Sequence, residues 1–238
     1  DRMDEHARCE SNATEESAAI LYLCCGSKEE FRELIASLYL LNDNFLSLHG
    51  DYPILLFLEE GTYPDGGISQ LPSLSSLSVH TFTFPSPPPP KNGTTHEEIE
   101  ERVYLDEAKT MSFSLGYRQM CRFFSFGFLQ NEVIAQYDVI WRIDTDSFLF
   151  APIQHDVFRI FEQSNADYAY LHLGKEAKPF TVGLHDVYAQ SGLPLSAYNK
   201  VFAQGGDPDL LFYTNFEIIR RKSFLSPDLL SFYRDIDY

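Results

Sequence analysis

The sequence predicts an α/β protein: a single GT-A-like layered domain with one mostly parallel sheet flanked by helices, over residues 18–238. Three observations predict the layering. First, an apolar run, a helical stripe and a second apolar run follow one another between residues 18 and 58, which is the βαβ pattern of a parallel sheet. Second, another short apolar run, Val139 to Ile143, stops at a pair of acids, as strands do where an α/β sheet meets its ligand. Third, 238 residues that are 44% apolar and 15% aromatic can bury a substantial core, which excludes disordered and collagen-like chains.

In chain order, residues 1–17 are polar and acidic and read as a flexible arm. Ala18 to Cys25 form a continuous apolar strand. Ser27 and Glu30 have the spacing of a capping box, and Phe31, Leu34, Ile35, Leu38 and Leu41 then recur at helical spacing. Ile54 to Leu58 give a second buried strand, ended by Glu59-Glu60-Gly61. Residues 85–95 carry Pro87 to Pro90 in succession and then Asn92-Gly93, so they form an extended surface loop within the domain. The acidic stretch 97–107 is a solvated face. Tyr117 to Phe128 read as a buried helix with Met120, Phe123, Phe124 and Phe128 inward. After the strand at 139–143 come a helix from Asp156 and a strand from Tyr168 to Leu173.

Charge and cysteines narrow the setting. Thirty-five acids against 18 bases give a net charge of −17, a field that repels nucleic acid and anionic membranes. An anionic substrate then needs a basic pocket or a bound cation. Cys9, Cys24, Cys25 and Cys121 match no zinc spacing and are either buried thiols or include one disulfide. Neighbours on a strand point to opposite faces, so at most one of Cys24 and Cys25 pairs with Cys121. Asn12-Ala13-Thr14 and Asn92-Gly93-Thr94 are glycosylation sequons in polar stretches, which favours secretory exposure of Asn12 and Asn92. No run of about 18 apolar residues is present, and the chain opens at Asp1 with no signal segment. Any targeting segment or membrane anchor is therefore expected outside this sequence.

Asp144 and Asp146 are the sharpest chemical feature. In an extended stretch residues i and i+2 point the same way, so both carboxylates converge at the strand end. Two hard oxygen donors there suit Mg²⁺ or Mn²⁺ with positions left for diphosphate and water.

Around this pair the sequence resembles a known family. Tyr117-Arg118-Gln119-Met120-Cys121-Arg122-Phe123, then Tyr137-Asp138-Val139-Ile140-Trp141-Arg142, then Asp144-Thr145-Asp146 are similar to the central block of the fungal Kre2/Mnt1-type α-1,2-mannosyltransferases, glycosyltransferase family 15. Tyr213-Thr214-Asn215-Phe216-Glu217-Ile218 resembles that family's aromatic-Ser-Asn-Phe-Glu-Ile. The resemblance implies the GT-A-like fold and retaining, Mn²⁺-dependent transfer of mannose from GDP-mannose to a mannosyl hydroxyl of a glycan or glycoprotein. It also implies a type II membrane protein of the Golgi lumen. Asp144 and Asp146 match the family's metal-binding acids, with Asp144 in place of Glu. Glu217 matches the candidate nucleophile or charge stabiliser, and Tyr117 a tyrosine near the reaction centre. Arg142 and Arg118 suit either a phosphate or a structural ion pair. His155, His172 and His185 are expected to be structural or surface residues. The family's downstream Gly-Asp-Ala-Pro-(Val or Ile)-His segment is expected beyond Tyr238, so the catalytic domain is expected to be C-terminally incomplete. Cys25-Gly26 stands where the family often has Arg-Asn, which leaves room for another nucleotide-sugar donor. A non-catalytic glycan-binding or scaffold relative is the remaining alternative.

Overall fold

The computed structural model describes residues 16–25, 27–61, 63–64, 66–84, 115–175, 186, 190 and 210–237. Asn12 and Asn92, most of the acidic arm, the loop at 85–95, the stretch 97–107 and His185 lie outside the described residues. The arm's last two residues are held in place. The Ser17 hydroxyl donates to Asp138 Oδ2 at 2.9 Å, and Glu16 pairs with Arg220.

Four parallel strands open the main sheet: β1 (Ala18–Cys24), β2 (Ile54–Glu59), β3 (Leu77–Phe82) and β4 (Val139–Ile143). Two more complete it, β5 (Tyr168–Tyr170) and β8 (Phe216–Arg220), in the order β3-β2-β1-β4-β8-β5. β8 alone runs against its neighbours, pairing antiparallel with both β4 and β5. The three strands expected to adjoin do so, because Ile20 pairs with both Ile54 and Trp141.

The expected strand at 168–173 is instead two. β5 ends at Tyr170, the last residue in register with β8, and the chain then turns away at Leu171 and His172. It resumes as β6 (Leu173–Lys175), which forms a separate antiparallel pair with β7 (Leu210–Phe212). The second half finds its ladder elsewhere, the His172 carbonyl accepting the Tyr213 N–H and Leu173 standing opposite Phe212.

Alternation of side chains gives the sheet two cores. On one face Ile20, Tyr22, Leu56 and Trp141 meet α1 (Lys28–Leu41), whose Phe31, Leu34, Leu38 and Leu41 are buried as the stripe predicts. Helix α1 continues through a π turn, Asn42–Leu46, which seats Phe45 edge-on against Trp141 with centroids 4.9 Å apart. A later helix, beginning at Val157 and capped by Asp156, covers the same face. On the other face Leu21, Phe57, Ile140 and Ile219 meet α2 (Leu115–Arg122), its π-turn extension Phe123–Gly127 and the 3₁₀ turns that follow. These turns have no ladder of their own. Arg221, just past β8, donates to the carbonyls of Leu129, Ala135 and Tyr137 at 3.1–3.2 Å and so ties them to the sheet.

Cys24 and Cys25 fall on opposite faces, as expected, and Cys24, Cys25 and Cys121 form no disulfide. Among the described residues no helix is long and apolar enough to cross a membrane.

Candidate functional site

The carboxyl end of β4 meets the start of α1 and the face of α2, and a cleft of about 410 Å³ opens between them. Asp144, Asp146 and Tyr117 all line it, so three of the expected site residues come together. The turn that carries the two acids is fixed from both sides. Asn215 accepts the Asp144 N–H at 3.1 Å through its carbonyl, and Ser37 of α1 donates to the Ser147 carbonyl at 2.6 Å.

Cys25, Glu30 and Glu33 also line the cleft, and the acids among them were not expected there. Ser27 caps α1 by accepting from the N–H groups of Glu29 and Glu30, as the sequence signature requires. Glu30 departs from the reciprocal bond of a capping box. Its carboxylate reaches further back, to the Cys25 N–H at 3.2 Å, and stiffens the loop beside the acidic pair. Burial raises its pKa, partly offset by that bond and reinforced by Glu33 and Asp146.

Behind the cleft lies a buried charge network. Arg142 and Glu217 are direct cross-strand partners in the antiparallel β4–β8 register. Arg142 Nη1 donates to Glu217 Oε1 at 3.1 Å and Nε to Asp144 Oδ1 at 3.0 Å, with Nη2 also 2.9 Å from that Asp144 oxygen in the ion pair. The side chains of Arg142 and Glu217 are only 8% and 5% exposed. Phe124, delivered by the π turn of α2, covers the guanidinium with its ring centroid 3.6 Å from Cζ. Tyr168 on β5 donates to the other Glu217 oxygen at 2.5 Å. Burial raises the pKa of Glu217 and of Asp144, and Arg142 opposes the rise in both. The Tyr168 hydroxyl is also raised, by burial and then by the Glu217 charge.

Of the two readings of Arg142, the structure has the ion pair. Arg118 is exposed and does not line the cleft. Glu217 lies one guanidinium away from Asp144, inside the sheet rather than facing it across open space. Among the described residues no group of three or more His, Cys, Asp or Glu converges as a metal cage. The donor chemistry of Asp144 and Asp146 nevertheless fits a hard cation: both are carboxylates in the cleft, and Arg142 engages only one Asp144 oxygen.

The profile of the glycolipid 2-alpha-mannosyltransferase family matches residues 1–182, well over half of the sequence. This chain belongs to that family. Among its curated members, glycolipid 2-alpha-mannosyltransferase 1 of Candida albicans is 40% identical over 80 residues, covering 34% of this chain and 17% of the relative. The O-glycoside alpha-1,2-mannosyltransferase homolog 3 of Schizosaccharomyces pombe is 28% identical over 148 residues, covering 57% and 39%. Among solved structures, core-mannan synthase A (CmsA/Ktr4) of Aspergillus fumigatus, an Mn/GDP form, has a TM-score of 0.73 at 20% identity. That likeness covers 95% of this chain and 65% of the other. Ktr4p of Saccharomyces cerevisiae in complex with GDP gives 0.69 at 18% identity, covering 94% and 61%. At such identities these structures show the shared GT-A-like α/β fold. In each comparison the match spans less than two thirds of the partner's length.

Proposed function

We propose that this chain is part of the catalytic domain of a retaining, metal-dependent α-1,2-mannosyltransferase that moves mannose from GDP-mannose to a mannosyl acceptor on a glycan or glycoprotein. The observation that carries the reading is the cleft at the carboxyl end of β4, where Asp144, Asp146 and Tyr117 converge in a member of this family. The Mn/GDP form of CmsA supports the choice of nucleotide and of cation class. A Golgi lumenal location follows from the family reading.

Asp144 and Asp146 would hold the divalent cation, Mn²⁺ foremost, which when bound supplies Lewis-acid neutralisation of the departing diphosphate. The chain's own residues do the rest. Arg142 fixes Asp144 and Glu217 relative to each other and offsets part of their combined negative charge. Tyr168 and Arg142 each hold one oxygen of Glu217, so that carboxylate has a single orientation. A carboxylate so held, buried behind the cleft with both oxygens engaged, suits electrostatic stabilisation of positive charge at the anomeric carbon rather than nucleophilic attack. Tyr117 borders the cleft as a wall for the donor.

The test is calorimetric titration of the chain with GDP in the presence and absence of Mn²⁺, followed by Mn²⁺-dependent turnover of GDP-mannose. Metal-dependent GDP binding that Asp146→Asn weakens by about 100-fold, the scale of losing an anionic metal ligand, supports the assignment. Binding of GDP that ignores both Mn²⁺ and Asp146 overturns it, and binding without any turnover supports a scaffold.

A further inference from the structure

Two hydroxyl groups sit in the otherwise apolar core between β1 and α1. Tyr22 and Ser37 are each 1% exposed, and Tyr22 belongs to the cluster that holds Ile20, Leu34, Leu38 and Leu56. Their oxygens are 2.9 Å apart, and the direction of that bond follows from the next one. Ser37 has a single hydroxyl proton and donates it to the Ser147 carbonyl at 2.6 Å, so Tyr22 must be the donor to Ser37. Burial raises the Tyr22 pKa far above its ordinary 10.0, which keeps the phenol a donor. Packing alone does not call for this pair, because phenylalanine and alanine would fill nearly the same space. The hydroxyls supply a donor aimed at one carbonyl, immediately after Asp146.

The Ser147 N–H donates to the Asp144 carbonyl at 3.0 Å, and the Ser147 hydroxyl donates to the Asn215 carbonyl at 3.2 Å. That same carbonyl accepts the Asp144 N–H at 3.1 Å. Ser147 is thus held between the residue that precedes β8 and the middle of α1. Neither Tyr22 nor Ser37 lines the cleft, so both reach the acids only through this turn. We propose that Ser37, oriented by Tyr22, is a positioning residue for the acidic pair: its bond to Ser147 sets the affinity of Asp144 and Asp146 for a divalent cation. This deepens the proposed metal-dependent reaction and rests on it for the identity of the ligand. Donors already in place bind a cation without first having to be ordered, and groups that orient ligands govern affinity for that reason.

Amide hydrogen exchange on the metal-free chain reads the turn, and Mn²⁺ titration in the presence of GDP, followed by electron paramagnetic resonance, reads the affinity. Ser37→Ala should speed exchange at Ser147 by about 5-fold, the scale of one hydrogen bond. It should weaken Mn²⁺ binding by about 10-fold. Tyr22→Phe should do less of both, and the double variant should match Ser37→Ala, because Tyr22 acts only through Ser37. Asn44 is the control: its side chain donates to the Leu149 carbonyl at 2.6 Å, a bond of the same kind two residues past Ser147. Asn44→Ala should leave Mn²⁺ affinity unchanged. Mn²⁺ binding that Ser37→Ala does not alter, or that Asn44→Ala weakens equally, overturns the proposal and leaves the metal reading standing. Should Ser37→Ala not fold, Tyr22→Phe carries the same signs, and no change in either measurement overturns the proposal. A wild-type chain that binds no Mn²⁺ removes the metal reading instead, and faster Ser147 exchange in Ser37→Ala would then keep only the brace on the turn.

Discussion

The buried network around Arg142 and the open cleft around Asp146 lie at the same end of one sheet and use the same acids for different ends. In the network one guanidinium, Arg142, serves two carboxylates, Glu217 and Asp144, under the ring of Phe124. In the cleft, Asp146, Glu30 and Glu33 are acids gathered without a lysine or arginine among the lining residues. A buried charge needs its partner to keep the fold, whereas an exposed one tolerates being unpaired in water and stays available to a ligand. Asp144 belongs to both regions, and through it the state of the cleft is coupled to the carboxylate inside the sheet.

The largest effect expected is on folding. Arg142→Met would leave Glu217 and Asp144 without their counter-charge and should cost about 3–5 kcal/mol. Urea denaturation measures this, and the same experiment on Asp146→Asn should show a change within about 0.5 kcal/mol, because that side chain is exposed. Equal losses in the two variants would erase the distinction between network and cleft.

Next is turnover. Glu217→Gln keeps shape and one acceptor oxygen but removes the charge. It should lower kcat by about 100-fold with GDP affinity nearly unchanged, the mark of an interaction made mainly in the transition state. Steady-state kinetics beside calorimetry separates the two, and a loss confined to donor binding would move Glu217 into the cleft's class.

A smaller effect is expected from pH. Burial raises the Glu217 pKa above its ordinary 4.5, so folding favours the protonated acid. That contribution is complete below the unfolded value and is lost as pH rises through the raised folded value. Stability of wild type relative to Glu217→Gln should therefore improve as pH falls from neutrality toward 4.5. Denaturation at pH 7 and pH 5 reads the sign, and an opposite trend would mean that Arg142 outweighs burial.

The smallest effect concerns Cys25 at the cleft wall. Burial, then Glu30 and Glu59, push its thiol up to about 12, so its thiolate is scarce at neutral pH. Iodoacetamide labelling followed by mass spectrometry should find it modified far more slowly than a free cysteine.

The parts of the molecule legible in the sequence are those governed by local pattern. β1, α1, β2 and β4 follow from apolar runs and helical spacing; Asp144 and Asp146 were marked by their place at the end of β4, but they meet on a turn, closed by the Ser147 N–H on the Asp144 carbonyl at 3.0 Å, and not by strand alternation. β3 escaped because its Leu77-Ser78-Val79-His80-Thr81-Phe82 is half polar and only partly buried, with no run to announce it. The Arg142–Glu217 pair escaped for a different reason. The two residues are 75 positions apart, and only the antiparallel insertion of β8 brings them into register. Tyr168 was hidden in the same way. Glu30 carried a capping signal, which accounted for its helix but not for its reach to Cys25. The motif Asn215-Phe216-Glu217 marked β8 as important without revealing that it was a strand.

The three bonds from Arg221 have a consequence in time as well as in space. Residues 129–137 have no strand neighbours to slow their opening, and left alone they would fluctuate and exchange their amide protons as quickly as a surface turn. Held by a guanidinium rooted at the end of β8, they can open only when that strand's end releases them. The amide protons of the segment joining α2 to β4 are therefore expected to exchange no faster than those at the end of β8.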